Sequence, residues 1–130
     1  MRILKRIIIT EEAPLPVGPY SQAIKSDNLV FVSGQIPIDP KTGEMISGSL
    51  TEQTRQILAN IGSILETADS GLSKIVKISV FLINMEDFEE VNSVFAEVFA
   101  VEPPARETVE VSRLPKEANI EISCIAVADK

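Results

Sequence analysis

The feature that most constrains this chain is a nearly unbroken apolar run near its middle. Residues 75–83 are rich in branched aliphatic side chains, and Lys77 and Ser79 are the only interruptions. A short apolar run of this kind is typical of a strand, and a strand without polar alternation is covered on both of its faces. We therefore expect residues 75–83 to form a strand that needs packing partners on two sides.

Two helical patterns are available to cover such a strand. The segment Ser49-Leu50-Thr51-Glu52 fits a capping box at the start of a first helix. The apolar residues that follow fall on one helical face: Ile57, Leu58, Ile61, Ile64, Leu65 and Ala68. Gly71 stands where a glycine commonly ends a helix. A second helix is predicted over residues 86–99, with Phe88, Val91, Phe95, Val98 and Phe99 at helical spacing.

The rest of the chain contains five further strand patterns, separated by turns rich in proline and glycine. They cover residues 5–10, 20–25, 29–35, 106–111 and 120–128. The segments 13–19 and 36–50 are predicted to be loops. The order β-β-β-α-β-α-β-β indicates one α+β domain over residues 1–130, with about six strands and two helices.

The number of helices limits how this sheet can be covered. Two helices cover one face of a sheet of this size, not both. Strands 75–83 and 120–128 nevertheless have an apolar pattern on both faces. A second copy of the chain, in a closed homo-oligomer, is the simplest cover for the remaining face.

Composition excludes several kinds of site. The chain has no histidine, which excludes Ser-His and Cys-His catalysis and argues against a zinc site. Its one cysteine, Cys124, has no partner for an internal disulfide, and its apolar neighbours indicate a small core side chain. No glycine-rich phosphate loop or metal-ligand cluster is found, so we expect neither metal nor cofactor.

Charge and hydropathy limit the partners and the location. The net charge of −7 argues against a nucleic-acid partner, which a basic face would bind. No apolar run approaches the roughly 20 residues of a membrane helix, and we find no signal-peptide pattern. We therefore expect a soluble protein with a cytoplasmic location and no membrane partner.

Arg106 and Glu121 are the strongest candidates for chemistry. Arg106 opens a strand directly after Pro104-Ala105, and a guanidinium can bind a carboxylate through two parallel hydrogen bonds. The alternative is a surface arginine in an ion pair.

Glu121 shares a strand face with Ile125 and Val127, where burial would raise its pKa and suit it to acid–base catalysis. The alternative is a solvated carboxylate at a frayed strand end.

Four other residues are candidates for lining a site. Asn92 lies near the apolar face of the second helix, where its amide needs a partner, either a ligand or a nearby loop. Tyr20 follows a Gly-Pro turn and could line a pocket or join the core. Ser33 and Gly34 end a strand, and Gly34 would allow a backbone N–H to approach a ligand or simply form a bulge.

In order and spacing, several of these segments resemble the RidA (YjgF) family. The resemblance extends from about residue 7 to residue 127. It rests on Gly18-Pro19-Tyr20-Ser21-Gln22-Ala23, Val32-Ser33-Gly34-Gln35-Ile36-Pro37, Glu52-Gln53-Thr54, Asp87-Phe88, Val91-Asn92, Pro104-Ala105-Arg106 and Ile120-Glu121-Ile122.

The resemblance implies a fold and an assembly. The family has a chorismate-mutase-like α+β fold, a six-stranded mixed sheet with two helices on one face. Its members form homotrimers whose sheets close into a central barrel, with ligand clefts between adjacent subunits. This expectation agrees with the oligomer inferred above from the covering of the sheet.

The resemblance also implies an activity, the cofactor-free hydrolysis of reactive enamines and imines to 2-oxo acids and ammonia. Substrates of this class are 2-aminoacrylate and 2-iminobutanoate. By resemblance, Arg106 holds the substrate carboxylate and Glu121 positions water and moves protons. The resemblance also assigns cleft-lining or supporting positions to Tyr20, Ser33, Gly34, Asn92 and Thr108, the last where some relatives have cysteine.

Two other functions remain open at this stage. The same cleft could bind and sense a small carboxylate such as a 2-oxo acid without catalysis. RNA-directed or chaperone-like activity has also been attributed to relatives, but the negative charge and the missing histidine argue against nuclease chemistry.

Overall fold

Strands dominate the structure, a computed structural model that describes residues 4–129. Eight strands are present in this range: β1 (Arg6–Ile8), β2 (Ala23–Ser26), β3 (Leu29–Gln35), β4 (Ile38–Asp39), β5 (Glu44–Met45), β6 (Ile75–Leu82), β7 (Ala105–Glu110) and β8 (Ile120–Val127). Six of them form one sheet in the order β1-β2-β3-β8-β6-β7. Only β6 and β7 run parallel, and the other neighbours are antiparallel. The predicted mixed six-stranded α+β sheet is therefore confirmed.

Two helices, α1 (Leu50–Thr67) and α2 (Phe88–Val98), pack on one face of this sheet. The predicted capping box is present at the start of α1. The Glu52 amide donates to Ser49 Oγ over 3.1 Å, and the Ser49 amide donates to Glu52 Oε1 over 3.1 Å. These two bonds satisfy backbone donors that a helix start otherwise leaves open. The residues described include no helix long and apolar enough to cross a bilayer.

The core lies between the helices and this face of the sheet. From the sheet it takes alternate residues of β6 and β8: Ile78, Val80, Leu82, Ile120, Ile122, Cys124 and Ala126. Each fully buried aliphatic side chain of this size contributes about 1.5–3 kcal/mol to folding. The regular alternation means that the intervening side chains point to the other face.

The other face is only half-covered, which differs from the pattern expected for residues 75–83. Phe31 is 42% exposed and Val109 is 41% exposed, and Ile125 and Val127 are half-buried. Within one chain β6 is therefore covered on one face only, and cover of the other face by a second copy of the chain stays a prediction. A sequence pattern reports where apolar side chains are, and it does not say which molecule covers them.

Several predicted boundaries are also corrected. Strands 5–10 and 20–25 are shorter, as β1 and β2. The bounds predicted for β3 are confirmed, and those of β6, β7 and β8 differ by at most one residue. The segment 36–50 contains the β4–β5 hairpin, which the buried Asn60 holds by donating to the Ile38 carbonyl over 2.8 Å. A short 3₁₀ turn, Met85–Asp87, precedes α2. Gly71 does not end α1, because the left-handed residue after its last turn is Asp69, with φ 61°.

The loop before β2 is held by one buried side chain, Gln22, which is 2% exposed. Its Oε1 accepts from the Thr10 amide over 2.8 Å. Its Nε2 donates to the carbonyls of Thr10 at 3.0 Å, Ala13 at 3.3 Å and Pro14 at 2.8 Å. Residues 9–22 form no strand hydrogen bonds with one another. The side chain of Gln22 binds the loop backbone in their place, between the ends of the short strands β1 and β2.

Replacing Gln22 by Leu should destabilise the protein, because the core position stays filled while the loop carbonyls lose their donor. A buried polar group left without a partner costs about 1–3 kcal/mol. We expect the free energy of unfolding to fall by about 2–3 kcal/mol in urea titrations. The matched control is Glu12→Gln, an exposed change in the same loop, which should have little effect. Equal stability of the two variants would contradict this role of Gln22.

Candidate active site

Arg106 lies on β7 and faces α2. It is in register with Ile78 of β6, a buried residue of the helix-covered face. One Nη2 atom donates to Asn92 Oδ1 of α2 over 2.7 Å. The guanidinium carbon lies 5.1 Å from the centre of the Phe95 ring and 5.5 Å from that of Phe88. The asparagine and the two rings fix the plane of the guanidinium.

The charge of Arg106 has no carboxylate partner among the described residues. The surface ion pair considered as the alternative for Arg106 is therefore absent from this part of the chain. The partner found for Asn92 is this arginine and not a loop. Because only one of the five guanidinium N–H groups is used, the others can bind an anion.

A groove surrounds this guanidinium, which we call the arginine groove. Its lining consists of Ile78, Asn92, Phe95, Ala96, Phe99, Pro103, Pro104 and Arg106. Thr108 is in register with Val80 on the same face as Arg106, but it does not line the groove. The groove is thus a mostly apolar trough with one unpaired cation.

Glu121 lies in a second pocket, on the opposite face of the sheet. It is in register with Phe81, whereas Ile122 and Val80 of the same strands point to the core. The pocket around it, which we call the glutamate pocket, has a volume of about 90 Å³. Its lining consists of Pro14, Leu15, Pro16, Val17, Tyr20, Gln22, Gly34, Gln35, Ile36, Ile38, Pro115, Lys116 and Glu121.

Gly34 gives the Glu121 side chain its space. Ser33 and Gly34 fall where the register of β3 against β8 shifts, in a bulge. A Cβ atom at Gly34 would lie 2.5 Å from Glu121 Oε2 and 2.8 Å from its Cδ. The glutamate would therefore have to move if any side chain were present at Gly34. The bulge predicted at Gly34 is therefore confirmed, and the approach of its backbone N–H to a ligand stays a prediction.

The environment of Glu121 favours its neutral form. Partial burial raises the pKa of this carboxyl, and no hydrogen bond or ion pair to it is found within residues 4–129. A carboxyl that is desolvated and unpaired keeps its proton to a higher pH than a solvated one, and it can exchange that proton with a reacting group. The solvated strand end considered as the alternative does not describe this half-buried position.

Tyr20 and Ser33 contribute in different ways. The Tyr20 ring is 51% exposed and lines the glutamate pocket, and its hydroxyl accepts from the Val17 amide over 3.4 Å. The Ser33 hydroxyl donates to the Ser21 carbonyl over 2.6 Å, so it holds the strand pair together and does not line the pocket. Tyr20 is thus available to a ligand, whereas Ser33 supports the wall.

One chain does not bring the two candidate groups together. Arg106 faces the helices and Glu121 faces the opposite side of the sheet, so a ligand held by one guanidinium cannot reach the carboxyl of the same chain's pocket through the sheet. The chain carries two half-sites. Among the described residues, Arg106 has no carboxylate counter-ion and Glu121 has no hydrogen bond or ion pair.

Sequence reasoning missed several pocket residues. Leu15, Val17, Ile36 and Ile38 form apolar walls, and Lys116 lies at the pocket edge. The proline-rich segment 13–19 carried a signal, since a stiff loop beside Tyr20 is suited to building a wall. Nothing in the sequence indicated that residues 115–117 would fold back toward this loop.

The described part of the chain has neither a cluster of metal ligands nor a reactive thiol. No cluster of three or more Asp, Glu or Cys side chains there could hold a metal ion. Burial raises the pKa of the Cys124 thiol to about 12, which leaves almost no thiolate at neutral pH. Its interpretation as a small core side chain is confirmed.

Comparisons with known proteins agree on one family. The family model described as Endoribonuclease L-PSP matches residues 10–128. A RutC family protein of Pyrococcus horikoshii is 55% identical over 123 residues, which cover 95% of this chain and 98% of that protein. A human protein named 2-iminobutanoate/2-iminopropanoate deaminase is 39% identical over 125 residues, covering 96% and 91%. The crystal structure of the YjgF gene product of E. coli matches with a TM-score of 0.90 at 42% identity, covering 95% and 99%.

Replacing Glu121 by Gln should stabilise the protein at neutral pH, because the raised pKa means that ionisation costs more in the folded state. Below the ordinary carboxyl pKa of 4.5 both states are protonated, and the wild type has its full stability. As pH rises through the raised pKa, the wild type loses stability and the glutamine variant does not. Urea unfolding at pH 4 and pH 8, at one protein concentration, measures the difference.

Glu107→Gln is the opposite control for this experiment. Hydrogen bonds from Lys77 and Ser79 lower the pKa of Glu107, so this carboxylate stabilises the fold at neutral pH and the effect fades as pH falls. The two glutamine variants should therefore shift stability in opposite directions at pH 8. A Glu121→Gln effect that is independent of pH would show that burial does not govern this group.

Proposed function

The chain belongs to the Endoribonuclease L-PSP family, which includes the RidA and YjgF proteins, and we propose that it hydrolyses 2-imino acids without a cofactor. The reaction is R–C(=NH₂⁺)–CO₂⁻ + H₂O → R–CO–CO₂⁻ + NH₄⁺. Substrates of this class are 2-aminoacrylate, through its imine tautomer, and 2-iminobutanoate. The name of the human relative supports this chemistry.

The observation that carries the proposal is the pair of complementary half-sites. The arginine groove holds a cation without a counter-ion, and the glutamate pocket holds an acid–base group without a partner. A 2-imino acid has a carboxylate at one end and an electrophilic carbon next to it. It therefore needs both groups at once, one for binding and one for proton transfer.

We propose that a second copy of the chain joins the half-sites. In a homotrimer whose sheets line a central barrel, the open face of each sheet would be covered. The arginine groove of one copy would then meet the glutamate pocket of its neighbour. The half-exposed apolar residues on the open face, such as Phe31 and Ile125, support such a cover.

In the proposed mechanism the substrate carboxylate binds the free N–H groups of Arg106. Asn92 and the rings of Phe88 and Phe95 hold the guanidinium in place. Fixing the carboxylate places the adjacent imine carbon at one defined position against the neighbouring pocket, which lowers the entropic cost of the reaction.

Glu121 then transfers protons. Water attacks the imine carbon, the C=N electrons move to nitrogen, and the carboxylate of Glu121 takes one proton of that water. The neutral glutamic acid returns this proton to the amino group, the C–N bond breaks, and ammonia leaves as the C=O bond forms. The remaining hydroxyl proton passes to ammonia. Acid–base assistance of this kind is worth about 10²–10⁴ in rate.

Two features favour a small-molecule reaction over the ribonuclease activity in the family's name. The net charge of −7 opposes binding of a polyanion, and the chain has no histidine for general acid–base cleavage of RNA. We also propose a cytoplasmic location. The single cysteine is buried, so the described fold does not depend on an oxidising compartment.

Arg106→Ala and Glu121→Gln should each lower the rate of imine hydrolysis by about 100-fold or more, since each removes one half of the machinery. Ammonia release is measured with 2-iminobutanoate made in situ by a threonine dehydratase, after subtraction of spontaneous hydrolysis. The matched control is Arg55→Ala, which breaks an exposed pair with Glu97 on α1 and α2 and should leave the rate unchanged.

The outcomes of this assay separate the alternatives. Wild-type rates in Arg106→Ala or Glu121→Gln would remove that residue from the mechanism. A wild-type protein that binds 2-oxobutanoate saturably but does not accelerate imine loss would instead be a sensor of small carboxylates.

Mixing the two inactive variants tests whether each site takes groups from two copies. Equal amounts of Arg106→Ala and Glu121→Gln chains are unfolded together and refolded. Random assembly gives both intact groups to about one quarter of the sites, so activity should return to about one quarter of wild type. Each variant refolded alone should stay inactive. Mixed assemblies that show no recovery would contradict a shared site.

A further inference from the structure

A lysine that lines the glutamate pocket lies on a turn with an uncommon backbone conformation. Lys116 has φ 54° and ψ 28°, and Glu117 follows with φ 57°. Left-handed conformations are rare for residues other than glycine, asparagine and aspartate, and two in succession are rarer. The Glu117 amide donates to the Leu114 carbonyl over 3.2 Å, and the Ala118 amide donates to Pro115 over 3.1 Å. Local hydrogen bonds thus fix where the lysine lies.

Lys116 lines two cavities that have several wall residues in common. It lines the glutamate pocket and also an outer pocket, and Pro14, Leu15 and Val17 are common to both. It is the basic side chain among those that line the glutamate pocket. The described residues provide no ion pair or hydrogen bond to its ammonium group. Its charge is therefore available to a ligand bound in the glutamate pocket.

The surroundings of Lys116 define what such a ligand would look like. Lys116 and Glu121 both line the glutamate pocket, and its apolar walls are formed in part by Leu15, Val17 and Ile36. Such walls suit the methylene groups of a short aliphatic chain. Glu11 lines the outer pocket only, is exposed, and forms no ion pair with Lys116 within residues 4–129. A cation beside apolar walls fits an aliphatic chain that ends in an anionic group.

We propose that Lys116 is a specificity-determining residue that favours 2-imino acids with a second, distal carboxylate. The inference rests on the proposed function. Arg106 of one copy would bind the carboxylate beside the imine, the methylene groups would contact the apolar wall, and Lys116 would bind the distal carboxylate. Lysine is suited to this role because its ammonium group binds an anion as a point charge from many directions.

Binding of two stable product analogues tests the proposal without requiring turnover. 2-Oxopentanoate and 2-oxoglutarate both have five carbons, and only the second carries a distal carboxylate. Calorimetry should show that the wild-type protein binds 2-oxoglutarate more tightly. Lys116→Met should reduce the ratio of the two affinities by up to about fivefold, the upper end of the range for an exposed charge pair. Lys116→Arg should retain most of the preference.

The matched control is Lys41→Met, an exposed lysine in the β4–β5 turn that lines neither cavity, and it should leave the affinity ratio unchanged. The rate experiment compares kcat/KM for 2-iminosuccinate, made by an aspartate oxidase, with that for 2-iminobutanoate. Lys116→Met should lower the first value relative to the second by a similar factor.

Three results would overturn the assignment: no preference for 2-oxoglutarate in the wild type, an unchanged ratio in Lys116→Met, or equal losses for both ligands. Equal losses accompanied by a shifted pH profile would mean that Lys116 acts on Glu121 and not on the ligand. If the wild type hydrolyses no imine, the proposed function fails, and the binding ratio still decides the role of Lys116.

Discussion

The two-residue period of the strands is the constraint on which the rest of this structure depends. Once β8 and β7 are aligned with β6, every side chain is assigned either to the helix-packed core or to the open face. Arg106 falls on the first face and Glu121 on the second. The two groups are therefore separated within one chain, and the proposed site, which uses both, would have to be completed by another copy.

The features predicted from the sequence are those fixed by local chemistry or by long patterns. The capping box at Ser49 and Glu52, the apolar stripe of α1 and the existence of all six sheet strands belong to this group. Features decided by distant contacts were missed. The β4–β5 hairpin is too short to have a pattern and depends on Asn60, and Asp69 takes the left-handed position that a glycine was expected to fill.

The candidate site was predictable as a set of residues and not as a geometry. The sequence indicates that Arg106 and Glu121 are unusual, but the contact between Arg106 and Asn92 joins a strand to a helix 14 residues away. The link between Gly34 and Glu121 depends on a bulge in one strand and the register of another. These relations arise only after the sheet has formed, so composition and periodicity do not reveal them.

The burial of Cys124 has a consequence for the proposed reaction. The proposed substrates are electrophiles, and 2-aminoacrylate is a Michael acceptor that alkylates soft nucleophiles. The chain has no histidine, and its only thiol is enclosed in the core with its pKa raised to about 12. The chain therefore offers such electrophiles neither an imidazole nor an accessible thiolate. The proposed turnover of reactive molecules would not inactivate it covalently through either group.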